Sequence, residues 1–257
     1  MSLYYRVIGA GAPLIMLHGL YGMSDNLLPI AKNLANTYKV FLPDLRNHGQ
    51  SPHYAEMNYD LMANDIKELM KQENIQNSII IGYSLGGKIG MKLALSNSIF
   101  IKALVVIDIS PKQYYQDYNE EIIDIIDSLN LNLFKNIYEI KQLLKTKNIK
   151  NNIINVLVKN LKKNKTGSLK WKMNIKAIIN NKDKLLESIN SNNEYEGPVL
   201  FIKAQQSEYI TNEDYSYIYN LFPNAVTIKI PKVSHWLHTE APDILTQHIK
   251  DFLEKKI

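Results

Sequence analysis

The chain of 257 residues contains no cysteine. That absence excludes a disulfide scaffold, a thiolate nucleophile and any Cys-ligated zinc or iron–sulfur centre. Arginine is scarce as well, with Arg6 and Arg46 the two in the chain. No run of about 18 apolar residues occurs, so no membrane-spanning helix is expected. Residues 1–11 lack a basic stretch followed by an apolar one. No secretory leader is therefore expected, and the reading is a cytoplasmic protein. What is present is ordinary globular composition, 46% hydrophobic and 21% charged. Such a chain has enough apolar surface to offset the entropy of ordering, which excludes disorder as its dominant state. Its length gives one large domain or two small ones, with no need of a metal or disulfide staple.

The net charge of +5 is unevenly spread. Residues 141–184 hold thirteen lysines against one acid, Asp183, a net of +12, so the remainder carries +5 − 12 = −7. Basicity confined to one segment does not point to nucleic acid as a partner. The plain reading is a solvated lysine-rich face. The sharper one is attraction to an anionic group such as coenzyme A, or to an anionic lipid surface.

Apolar runs of strand length alternate with helical patterns. Strands are expected at 13–18, 39–42, 78–81, 101–107, 199–203 and 225–230. Helices are expected at 26–36 with Ser24 or Asp25 as cap, at 60–73 with Asp60 as cap, and at 86–97, 214–221 and 242–255. Between 112 and 192 the alternation breaks into an Asn-, Lys- and Ile-rich stretch with helical segments at 121–129 and 150–161. Alternating strands and helices predict an α/β fold, a mostly parallel sheet with helices on both faces. The interruption then reads as a helical insertion over the carboxyl edge of the sheet, where such folds bind ligands.

Gly82-Tyr83-Ser84-Leu85-Gly86 is a G-x-S-x-G motif set between an expected strand and an expected helix, the context that gives it meaning. A serine on so sharp a turn has strained backbone angles and projects its hydroxyl from the top of the sheet. Gly82-x4-Gly87-Lys88 nearly matches a phosphate-binding loop, but Ile89 stands where a Ser or Thr would ligand magnesium.

A serine hydroxyl needs a base. His235 follows the last expected strand and comes after the serine in the order this fold uses. His238 is its rival. The pair as a metal site lacks a third ligand, so no metal is expected. His248 falls on the last helix as a structural residue. Gly19, in His18-Gly19-Leu20-Tyr21-Gly22, lets the chain turn so that the Leu20 N–H faces Ser84. With the Leu85 N–H it would form an oxyanion hole. The His18 side chain itself reads as a structural brace.

HGLYG (18–22), DLRNHGQS (44–51), GYSLGG (82–87), VVIDISP (105–111) and SHWLHTEAPD (234–243) stand in order. Together they resemble the α/β-hydrolase superfamily, and within it the bacterial YbfF-like esterases. The resemblance implies a core of residues 1–111 and 193–257, a helical cap at 112–192, and a serine esterase without cofactor. It also bears on the triad acid. Many members carry that acid after the penultimate strand, where this chain offers only Glu208. The YbfF-like pattern implies Asp108 instead, with Glu208 as the alternative. Asp44, Arg46 and His48 are implied as a polar brace beside the site, with a direct substrate role for Arg46 or His48 as the lesser reading. Ser234 replaces a common glycine and stiffens the loop before His235. Tyr83, Trp171, Met173 and Trp236 are the candidate pocket residues. Trp171 and Met173 fall where the family's cap contributes apolar side chains.

The expected chemistry is acyl transfer by Ser84, His235 and Asp108 on a small-molecule ester or thioester. A lyase or C–C hydrolase with the same triad is an alternative, as is a binding module. A binding module would be expected to have lost the serine or the histidine. Dehalogenases and epoxide hydrolases are disfavoured, because they place Asp where Ser84 stands.

Overall fold

Seven short apolar strands assemble into one sheet in a computed structural model, which describes residues 2–115, 120–147 and 149–257. The chain opens with β1 (Tyr5–Ile8), β2 (Ala12–Leu17), α1 (Ser24–Leu34), β3 (Tyr38–Pro43) and α2 (Tyr59–Gln72). It continues with β4 (Ser78–Tyr83), α3 (Leu85–Ser96) and β5 (Ile101–Ile107). The next stretch holds α4 (Glu120–Ser128), α5 (Ile137–Thr146), α6 (Asn151–Lys159), β6 (Leu161–Lys163), β7 (Leu169–Trp171), α7 (Ile175–Asn180) and α8 (Lys182–Leu186). The sheet then resumes with β8 (Val199–Ala204), α9 (Asp214–Leu221), β9 (Ala225–Ile230), α10 (Leu237–Glu240) and α11 (Pro242–Lys256).

The strand order is β1-β3-β2-β4-β5-β8-β9. Within this sheet, among the described residues, only the β1–β3 pair is antiparallel. Every residue of β4 is buried, as a strand covered on both faces must be. Alternate residues serve the two faces. Ile80, Leu104 and Val106 pack with Met62, Ile66, Ile89 and Leu93 of α2 and α3. Ile79, Ile81 and Val105 pack with Leu27 and Ile30 of α1 and Leu245 and Ile249 of α11.

Three local expectations are corrected. Strand β1 went unforeseen, since four residues at a sheet edge carry too little pattern. Asn58 rather than Asp60 caps α2, accepting a hydrogen bond from Leu61 N at 2.8 Å. Helix α1 begins at Ser24, with Met23 in the cap position. Asp25 pairs with Arg6 at 2.7 Å instead, and the Ser24 N–H goes to Asp44 Oδ1 at 2.7 Å.

The stretch between β5 and β8 is mainly helical. Positions 116–119 and 148 within it lie outside the described residues. Asparagines fasten it to the loops of the sheet. Asn160 Nδ2 donates to Tyr21 O, Asn174 N donates to Asn47 O at 2.8 Å, and Asn181 Nδ2 donates to Ala55 O at 2.8 Å. Its two roots are paired by Ile189 N to Pro111 O and Tyr114 N to Leu186 O. Lys162, Lys163, Lys165 and Lys170 are exposed around the β6–β7 hairpin. Among the described residues, no helix is long and apolar enough to cross a membrane.

Candidate active site

Ser84 sits between β4 and α3 with φ 51° and ψ −116°. A β-carbon on Gly82 would lie 2.2 Å from Gly86 O, and one on Gly86 would lie 2.2 Å from Leu17 O. The two glycines of the motif are therefore steric requirements of the turn. The Ser84 N–H donates to Ile107 O at 3.0 Å, tying the turn to the end of β5.

Asp108 is the next residue along β5, fully buried, at φ 51°. Its Oδ1 accepts from Ala204 N at 2.8 Å and its Oδ2 faces His235 Nδ1 at 2.8 Å. The other ring nitrogen, His235 Nε2, lies 3.0 Å from Ser84 Oγ. A carboxylate on Nδ1 fixes the proton there and leaves Nε2 as the acceptor facing the hydroxyl. Three strand ends thus bring together Ser84, Asp108 and His235. Glu208 is exposed in the loop after β8, so the alternative acid does not hold this ring.

The imidazole is held on every side. Tyr209 stacks on it, with centroids 3.9 Å apart and planes at 19°. The Tyr83 hydroxyl donates to His235 O at 3.0 Å. Ser234, the residue expected to stiffen the loop, donates from N and Oγ to the Glu240 carboxylate at 2.7 and 2.6 Å. The rival His238 is buried against Tyr83, with ring centroids 4.2 Å apart. Burial lowers its pKa to about 3, with the neighbouring His235 and Lys159 adding to the effect.

Leu20 and Leu85 line one cavity with Ser84. Leu85 is the first residue of α3, where an N–H has no intrahelical acceptor and the helix dipole is positive. A β-carbon on Gly19 would sit 3.3 Å from Ser84 Cβ and 2.8 Å from the Tyr83 ring. Only glycine lets the Leu20 loop approach the nucleophile so closely.

The HGLYG and DLRNHGQS segments brace each other behind that loop. His18 Nδ1 donates to Gly19 O at 2.8 Å, and its Nε2 accepts from Leu45 N at 2.9 Å. His48 Nδ1 donates to Arg46 O at 2.9 Å, and its Nε2 accepts from Tyr21 N at 3.3 Å. Burial lowers both pKa values, that of His48 to about 3. Arg46 forks onto Asp65 at 2.6 and 2.7 Å and also donates to Glu56 O and Leu61 O. All three side chains are occupied in bracing.

The cavity holds about 590 Å³, its open mouth included. Tyr83, Trp171, Met173 and Trp236 do not line it. Met173 is buried in the core, and Tyr83 is buried with its hydroxyl on His235 O. Trp171 and Trp236 are half-buried and pack against that same core. The wall is made by Tyr59, Ile109, Tyr114, Ile123 and Tyr209, among others, and by two lysines, Lys88 and Lys182. No motif signalled Tyr209, which lies one residue beyond the position considered for the acid. In the sequence, Lys88 is marked only by the near match to a phosphate-binding loop. Among the described residues, no group of three or more His, Asp or Glu is placed to hold a metal ion.

The alpha/beta hydrolase fold family matches residues 12–242. The sn-1-specific diacylglycerol lipase ABHD11 of Danio rerio is 35% identical over 96% of this chain and 80% of its own length. Esterase YbfF of Escherichia coli K12 is 29% identical over 94% of this chain and 93% of its own. A solved marine microorganism esterase superposes with a TM-score of 0.94 at 37% identity, covering 98% of this chain and 99% of its own. With the Ser84 turn and the sheet order already in place, this similarity assigns the chain to the α/β-hydrolase family, where it resembles the YbfF-like esterases.

Proposed function

We propose that the chain is a serine hydrolase that cleaves carboxylic esters, thioesters included, through a covalent acyl-enzyme. The observation that carries this reading is the line of contacts from Ser84 Oγ through both nitrogens of His235 to Asp108. The relatives named as an esterase and as a diacylglycerol lipase support ester bonds as the target.

In the acylation step, Ser84 Oγ attacks the ester carbonyl while His235 Nε2 takes its proton. The oxyanion is held by the Leu20 and Leu85 N–H groups, preorganised donors of the kind worth about 10²–10³ in rate each. Collapse breaks the bond to the leaving oxygen or sulfur, which receives the proton from His235. Water then attacks the acyl-serine, giving its proton to His235, and collapse returns that proton to Ser84 as the free acid departs. Asp108 keeps the ring in the working tautomer and stabilises its charged form. Residues 112–192 act as the cap, closing the cavity from above with Ile123 of α4, Ile178 of α7 and Leu185 of α8.

The test is hydrolysis of p-nitrophenyl esters from acetate to palmitate by wild type and Ser84→Ala. Turnover that falls by about 10⁶ in the variant supports the reading. Turnover unchanged in the variant, or absent in a folded wild type at every length, rejects it.

A further inference from the structure

The positive charge of the chain collects on one small hairpin. Residues 141–184 hold thirteen lysines, and all but one of the 25 acidic residues lie outside that segment. A lysine-rich composition alone would not clear the segment of acids. The β6–β7 hairpin gathers four of these lysines on one surface. Leu161 and Leu169 are buried and pin its two strands to the core. Lys162 and Lys170 stand directly opposite each other in the antiparallel register. Like charges in that position weaken a strand pair, and an anion laid over them would relieve the repulsion. With Lys163 and Lys165 they line one shallow concavity, and all four are exposed. None of the four forms an ion pair among the described residues. The turn beneath them is fixed, since Asn164 Oδ1 accepts from Thr166 N at 3.0 Å and from Ser168 N at 2.9 Å.

An apolar feature adjoins the lysines. The short 3-10 turn Leu131–Leu133 packs on β7, and Leu133 is 76% exposed. Tyr138, in the first turn of α5, is 68% exposed. The neighbouring acid, Glu139, is turned back on its own helix end, accepting from Lys135 N at 2.8 Å and Asn136 Nδ2 at 3.1 Å. One exposed leucine is ordinary on a protein surface. Beside four lysines without ion-pair partners it has a different meaning: ammonium groups suit lipid headgroups, and an apolar side chain suits the acyl boundary beneath them.

We propose that this face of the segment between β5 and β8 docks on an anionic lipid bilayer. Lys162, Lys163, Lys165 and Lys170 lie over the headgroups, and Leu133 enters the acyl boundary. A bilayer fits better than a small anion for two reasons. Four ammonium groups on an open, shallow surface enclose no single ligand, and a soluble anion gains nothing from Leu133. The rest of the chain, at −7, is repelled by the same lipid surface, which orients the molecule hairpin-down. This docking does not rest on the esterase reading.

The experiment is co-sedimentation with vesicles of phosphatidylcholine alone and of phosphatidylcholine with about a third phosphatidylglycerol. At low salt the wild type should partition onto the anionic vesicles roughly a hundredfold more strongly, and should lose most of that preference at about 0.5 M salt. Lys162→Gln/Lys170→Gln should bind about thirtyfold less tightly, about fivefold for each lysine. The chain has no cysteine, so Leu133→Cys takes a polarity-sensitive dye at one position. Its emission should shift to the blue on anionic vesicles and stay unchanged with neutral ones. None of these residues lines the Ser84 cavity, so turnover of a soluble p-nitrophenyl ester should match wild type.

Equal binding to the two kinds of vesicle overturns the proposal, as does a double variant that binds like wild type. So does a dye at position 133 that stays in water while the protein is bound. Binding of coenzyme A or of a short oligonucleotide, with none to anionic vesicles, assigns the lysines to a soluble anion or to nucleic acid and overturns it too. If the double variant fails to fold, the two vesicle compositions and the dye still decide. Absence of ester turnover overturns the esterase reading alone, because docking is read by sedimentation.

Discussion

Ser84 and Asp108 share one unusual backbone state, each at φ 51° at the carboxyl end of neighbouring parallel strands. A non-glycine residue in such a region costs about 1–3 kcal/mol, and the surrounding structure must hold it there. Here the Ser84 N–H to Ile107 O bond and the Asp108 N–H to Ile202 O bond do the holding. Relieving the strain at the nucleophile should stabilise the fold. Ser84→Gly is expected to gain about 1 kcal/mol, a rise of about 2–4 °C in Tm, while abolishing turnover. Thermal unfolding of Ser84→Gly against Ser84→Ala checks it, and a Tm no higher in the glycine variant contradicts it.

The triad acid is testable by exchange. Asp108→Asn keeps the shape but removes the charge that fixes the His235 tautomer, and kcat on a p-nitrophenyl ester should drop by about 10⁴. Glu208→Gln alters an exposed side chain and should stay within about twofold. A large loss in the Glu208 variant with little in the Asp108 variant would reverse the assignment.

The Arg46–Asp65 pair carries stability rather than chemistry. Both side chains are less than a tenth exposed. Arg46→Met strands the Asp65 carboxylate in the interior, which should cost about 3–5 kcal/mol, near 10 °C in Tm. The double variant Arg46→Met/Asp65→Leu should recover most of that loss. Denaturant unfolding of the two single variants and the double gives the coupling directly.

Buried neutral histidines set the acid limit. His48 and His238 have pKa values of about 3 in the fold, against about 6.5 in an unfolded chain. Between those values the unfolded state binds more protons, so stability is complete above pH 6.5 and is lost as pH falls below it. Each group contributes up to about 1.4 kcal/mol per pH unit in that window. Wild-type Tm should decline from pH 6.5 to pH 5, and the decline should be shallower in His238→Phe.

Much of this was legible in sequence, for reasons that differ from part to part. Strand β5 and helix α9 match their expected limits because an apolar run broken only at Lys102 and a polar-flanked period leave little freedom. The Ser84 turn was legible because two glycines are forced by contacts of 2.2 Å. Asp108 could be chosen over Glu208 only through resemblance, since nothing in the spacing says which strand end faces His235. Helix caps were harder: Asn58 and Asp60 are both good caps, and the choice depends on where α2 meets the sheet. The pocket was the least legible. Trp171 and Met173 look like lining residues by type, yet they pack inside or against the core. The wall is built instead by Tyr209, which only the three-dimensional arrangement brings beside Ser84, and by Lys88, which lies in the first turn of α3 but whose residue type does not mark it as lining a pocket.

The most direct test of the central claim is covalent labelling by a fluorophosphonate, read by peptide mass spectrometry. The account predicts one adduct, on Ser84, formed quickly in wild type, absent in Ser84→Ala and far slower in His235→Ala. A folded wild-type protein that takes no label, or takes it on another residue, would contradict it.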